Sequence, residues 1–124
     1  MRKTSTQQLT ALIQQDAQRF ESLKNEALQL GYFCKGTVLK RMMKCGNSKC
    51  ACHRDPAHRH GPYFECTYKV HSRTVNLKLY PAVTPLYRAA TQQHRKLKSL
   101  LNRLERQSRV ALAHLAKQKL ARTD

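Results

Sequence analysis

Apolar residues recur at three- and four-residue spacing from the start of the chain: Leu9, Leu12, Ile13, Phe20, Leu23, Ala27 and Leu30. That spacing places side chains on one face of a helix. Ser5 with Gln8 three positions later reads as a capping box and Gly31 as a stop, which predicts a helix over residues 5–30. The stripe is close to a heptad seam, weakened where Asp16 falls on it. The period then drops to two. Thr37 to Lys44 reads as a strand, and Phe64, Cys66, Tyr68 and Val70 alternate along one segment as Val75, Leu77 and Leu79 do along the next. The two segments, Tyr63 to Val70 and Thr74 to Tyr80, predict a hairpin that Pro81 ends.

Thr84-Pro85 is a helix start, with threonine at the N-cap and proline at the first helical position. No proline or glycine follows, so a helix over 85–120 would run about 54 Å. Leu86, Ala90, Leu97, Leu101, Leu104, Ala111 and Leu115 form its apolar stripe. A stripe of that length needs a partner, and the N-terminal helix is the natural one. The surplus of the longer stripe offers a surface for a homodimer. The expected fold is α+β in a single domain, 1–124: a helix (5–30), a metal loop with a small three-stranded antiparallel sheet (36–80), and a long basic helix (85–120). The two helices are expected to pair as an antiparallel coiled-coil hairpin.

Between the first strand and the hairpin lies Cys45-Gly-Asn-Ser-Lys-Cys50-Ala-Cys52, followed by His60-Gly-Pro-Tyr63. Three thiols and an imidazole within sixteen residues fit a structural zinc site, in which four ligands sit at the corners of a tetrahedron. Cys50 and Cys52 are two apart and would diverge on a helix, so the ligands belong to a turning loop. Cys45, Cys50 and Cys52 are the candidate ligands, with His60 favoured as the fourth because Gly61-Pro62 then ends the loop. His53 and His58 compete for that place, although His53 adjoins Cys52 and is sterically awkward. Cys34 and Cys66 read as core or bystander thiols. Five cysteines with three in one cluster, and an N-terminus (Met1-Arg-Lys-Thr-Ser-Thr) without an apolar run, argue against a disulfide framework and for a reducing cytoplasm. No stretch reaches the roughly 18 apolar residues of a membrane span.

The formal net charge is +17, and residues 35–124 carry 20 basic against 4 acidic side chains. Such an excess attracts polyanions, which points to nucleic acid, DNA before RNA, with anionic membrane a weaker alternative. On the long helix, Arg88, Arg95, Arg106 and Lys117 align, flanked by Lys96, Lys98, Arg103 and Arg109, with Glu105 the one acidic neighbour. Arg41, Lys44, Lys49, Arg54 and Arg59 surround the metal loop and extend the basic surface.

The linked motif, Cys45 to Cys52 with His60 to Tyr63, resembles that of small bacterial and mobile-element proteins, mostly uncharacterised, that look like accessory proteins carried beside transposases and recombinases. The resemblance implies a role near DNA mobility, a transposase or recombinase as partner, and a place at the nucleoid. The leading expectation is therefore a non-catalytic, zinc-stabilised DNA-binding accessory protein of transposition or recombination. An RNA-binding component of a ribonucleoprotein, using Tyr63, Phe64, Tyr68 and Tyr80 for stacking, is the alternative, as is a helical interaction adaptor. An enzyme is disfavoured. His58-Arg59-His60 with Tyr87 lacks the apolar residue that a two-histidine nuclease places between its histidines. The seven acidic residues are too dispersed for a carboxylate-metal centre.

Overall fold

The computed structural model describes residues 5–123; residues 1–4, on which part of the N-terminal reading rested, lie outside the described residues, as does 124. Two helices and a three-stranded antiparallel sheet make up the fold: α1 (Thr6–Leu28), β1 (Thr37–Met43), β2 (His60–Val70), β3 (Arg73–Leu79) and α2 (Thr84–Thr123). Two single-turn 3₁₀ segments, Ala51–His53 and Pro56–His58, lie between β1 and β2. The chain gathers into two compact units, one of Met1–Leu30 with Lys96–Asp124 and one of Gly31–Arg95. No helix among the described residues is long and apolar enough to cross a membrane.

In the helical unit, Ser5 caps α1 as its sequence predicts: its hydroxyl accepts from the Gln8 N–H and the Gln8 side chain accepts from the Ser5 N–H, both at 3.1 Å. α1 and α2 pack antiparallel, since Asp16 meets His114 while Glu26, farther along α1, meets Arg103, earlier on α2. The packed positions of α2 are Leu97, Leu100, Leu104, Gln107, Ala111, His114 and Gln118, in alternating steps of three and four. This corrects the expected stripe. Leu97, Leu104 and Ala111 are shared, but Leu101 is 59% and Leu86 69% exposed, and Leu115 is also exposed. At 100° per residue the buried seam is turned roughly 50° toward the basic face.

The reason is Asp16. Rather than weakening the seam it is 3% exposed, accepting from His114 Nδ1 at 2.6 Å and from Gln107 Nε2 at 3.3 Å. A buried carboxylate must find donors, and the rotation that brings His114 and Gln107 inward provides them. Sliding α2 by one heptad would set Asp16 against Gln107 and Leu100 instead, so the polar contact also fixes register.

In the sheet unit the strand order is β1-β2-β3. Val38, Cys66 and Leu77 form one cross-strand row, and Phe64 pairs Leu79 as Tyr68 pairs Val75. The alternating residues of the predicted hairpin thus share a face. The hairpin turns through His71 (φ 48°) and Ser72 (φ 67°), both left-handed as a tight two-residue β-hairpin requires. α2 begins at Thr84 itself: the Thr84 hydroxyl donates to the Tyr80 carbonyl at 3.0 Å rather than capping the next turn, which corrects its expected role. The Cys34 N–H donates to Ala90 O at 3.2 Å and the Gly31 N–H to Gln93 Oε1 at 3.1 Å, tying the segment before β1 to the start of α2. The buried core here is small, chiefly Cys52, Cys66, Leu79, Thr84 and Thr91, and a small core leaves room for a cross-link to contribute.

Candidate metal centre and basic surfaces

β1 delivers the chain to Cys45, and the loop turns at once. Asn47 shapes it, its carbonyl accepting from the Cys50 N–H at 3.0 Å and its side-chain oxygen from the Lys49 N–H at 3.0 Å. The 3₁₀ turn after Cys50 folds Cys52 inward, where it is 1% exposed. The return strand opens on His60, which pairs with Met43 across a register shift in β1. Gly61 makes that closeness possible. Its φ is +138°, and a Cβ there would lie 2.8 Å from the Arg41 carbonyl oxygen, so backbone meets backbone where only glycine fits.

The ligand atoms of Cys45, Cys50, Cys52 and His60 all lie within 4.8 Å of one another. Cys50 Sγ is 3.4 Å from His60 Nε2 and Cys52 Sγ is 3.5 Å from Cys45 Sγ. Edges of a tetrahedron of such ligands are roughly 3.8 Å, so these four side chains could hold a metal ion with small adjustments. The other histidines are turned elsewhere. His53 Nε2 donates to the Cys45 carbonyl at 2.7 Å, and His58 Nδ1 is 3.0 Å from Asp55 Oδ2. The choice that the sequence left among three histidines therefore falls on His60.

The cluster's electrostatics suit a cation. The Cys52 backbone N–H facing the Cys50 sulfur, then the His60 ring and the neighbouring thiols, pull the Cys50 thiol down to about 6. Burial pushes Cys52 up, and a bound cation would oppose that by stabilising the thiolate. The Cys45 N–H donates to Cys52 Sγ at 3.3 Å, the sort of outer contact that orients a ligand. Two supporting roles are not among those expected from the sequence. His53 braces the Cys45 carbonyl, and Asp55 caps the second 3₁₀ turn by accepting from the Ala57 N–H at 3.0 Å. Asp55-Pro56 carried a signal for the second, being an N-cap residue before a first-position proline; nothing local marked the first.

The candidate nucleic-acid residues divide between the units. In the helical unit Lys96, Lys98, Arg103, Arg106, Arg109 and Lys117 are all exposed. Arg103 lies 3.8 Å from Glu26 and Arg109 2.9 Å from Glu105, exposed pairs of the kind that contribute little and exchange readily. In the sheet unit Arg95, Lys44 and Lys49 are exposed, the Arg88 guanidinium sits 5.6 Å over the Phe64 ring, and Arg54 donates to the Lys49 carbonyl at 3.3 Å. Arg41 is engaged with Glu65. Arg59 is half-buried, its Nε meeting no hydrogen-bond partner among the described residues.

Comparison with curated proteins and with solved structures finds no match. A family model does match, over residues 6–78, which takes in α1, the metal loop and the whole sheet apart from the last residue of β3. With the match covering more than half of its length, the chain belongs to the family described as a domain of unknown function, DUF6788.

Proposed function

We propose that this protein is a non-catalytic DNA-binding accessory factor of a mobile genetic element, its sheet unit clasped by a structural zinc ion. The observation that carries the reading is the outward face of α2 in the helical unit, where six basic side chains stay exposed although the helix turns its seam toward them. From Lys96 to Lys117 they extend over about 32 Å of helix, a span suited to following phosphates. Zinc is favoured by the donor set: three thiolates and an imidazole prefer it to hard cations. Four protein ligands would fill a tetrahedral shell and leave no place for a reacting water, which supports a structural role. The mobile-element setting, with a transposase or recombinase as partner at the nucleoid, rests on the resemblance of the Cys45–Cys52 and His60–Tyr63 motif.

The test is duplex-DNA affinity against salt, for the wild type and for a variant carrying Lys98→Glu, Arg106→Glu and Lys117→Glu. Four phosphate contacts would weaken binding roughly 150-fold between about 50 and 200 mM salt. The variant should lose most of its affinity and much of the salt slope. An unchanged affinity in the variant would remove this face of α2 as the binding element.

A further inference from the structure

Beyond the metal centre, the sheet unit holds a cavity of about 440 Å³ between the start of β2 and the end of β3. Its walls include Pro62, Tyr63 and Phe64 on one side and Lys78, Tyr80 and Pro81 on the other. The volume falls within the roughly 300–1,000 Å³ of small-ligand sites. Its chemistry is unusual for a surface so basic: aromatic and proline walls, no acidic side chain in the lining, and two aromatics that packing has left in solvent. Tyr80 is 81% and Tyr63 42% exposed.

We propose that this cavity receives an unpaired nucleobase of single-stranded DNA, stacked against Tyr80 and Tyr63, with its flanking phosphate met by Lys78. The inference deepens the DNA-binding reading and rests on it. Flat aromatic faces accept any base, because every base has a π-face. The two prolines fix the local backbone, so little freedom is lost when a ring enters. Charge selects an anion. Lys78 is the charged side chain of the lining, and the carboxylate across the strands from it, Glu65, is already paired with Arg41. A duplex keeps its bases stacked inside, so the cavity would discriminate between strand states rather than between sequences. Pro62 follows the ligand His60 by two residues, which hangs one wall of the cavity on the metal clasp.

Fluorescence anisotropy at fixed salt would test this with a short oligothymidylate, its ribose counterpart and a duplex of equal length. Tyr80→Ala, Tyr63→Ala and Tyr80→Phe are compared with the wild type, and metal content and circular dichroism report folding. Tyr80 is exposed enough that its truncation should leave the fold intact. The proposal expects Tyr80→Ala to weaken the DNA single strand about fivefold or more, to leave the duplex within about twofold, and Tyr80→Phe to retain wild-type binding because stacking needs no hydroxyl. Equal losses on single strand and duplex, or none on either, would overturn it while leaving the DNA-binding reading standing. Tyr80 dependence confined to the ribose strand would overturn it in favour of RNA. A wild type that binds neither single strand nor duplex would end both readings.

Discussion

Replacing Asp16 by alanine should destabilise the helical unit by about 3 kcal/mol. Asp16 is nearly sealed, its side chain 4% exposed, and its partner His114 is 21% exposed. Solvent therefore screens the contact little. A hydrogen bond to a charged group contributes about 1.5–3 kcal/mol and a weaker one about 0.5–1.5. The 2.6 Å bond from His114 falls in the first class, and the 3.3 Å bond from Gln107 at the low end of the second. Truncation also leaves the His114 and Gln107 donors facing an apolar seam without an acceptor, which adds rather than subtracts. For a chain of this size, about 3 kcal/mol corresponds to a fall in Tm of roughly 12 °C.

Urea denaturation followed by far-ultraviolet circular dichroism would measure the loss, and a double-mutant cycle of Asp16→Ala with His114→Ala would isolate the pair. A triple variant with leucine at 16, 107 and 114 should recover the stability, since apolar residues of suitable volume commonly equal or exceed a buried polar group. A cost for Asp16→Ala below about 0.5 kcal/mol, or a cycle without coupling, would refute the argument that this contact sets the rotation and register of the helices.

Two further outcomes follow from single positions. Gly61→Ala should cost about 2 kcal/mol or more and weaken metal retention, because its Cβ would meet the Arg41 carbonyl at a φ of +138°, whereas Gly46→Ala, with nothing within 4 Å, should be nearly neutral; similar effects in calorimetry and metal titration would contradict this. Burial, with Cys34 beside it, pushes the Cys66 thiol up. An unfolded thiol ionises near about 8.5, so the unfolded state gives up this proton more readily than the folded state, and stability is full below that pH and declines as pH rises toward the folded value. With the metal site loaded, Tm should fall above about pH 8.5 and Cys66→Ala should flatten the decline; the same slope in both proteins would exclude Cys66 as its source.

Local signals carried much of this structure. The Ser5–Gln8 capping box, the alternation of Phe64, Cys66 and Tyr68 against Leu79, Leu77 and Val75, and the unbroken run after Pro85 each specify a short-range geometry, and each appears as expected. The cysteine cluster was legible for the same reason, as its members are close along the chain. Two things depended on contacts distant in sequence. The seam of α2 was misplaced because its apolar residues fit two rotations almost equally, and Asp16 selected the one that supplied donors. The start of β2 was set three residues late, because His60 serves as both ligand candidate and strand residue, a pairing visible only against Met43. The hairpin turn itself carries only a weak local signal, since His71 and Ser72 are not the Asn-Gly or Asp-Gly pair that usually announces one.

The proposed clasp of the sheet unit depends on Cys45, Cys50, Cys52 and His60 sharing one zinc ion. X-ray absorption at the zinc edge, with elemental analysis of the purified protein, tests it most directly. The expected result is one zinc per chain with three sulfurs near about 2.3 Å and one nitrogen near about 2.0–2.1 Å, a shell lost in Cys50→Ser and retained in His58→Ala. No stoichiometric zinc, a shell of two sulfurs and two nitrogens, or a zinc content that falls in His58→Ala but not in His60→Ala would contradict it.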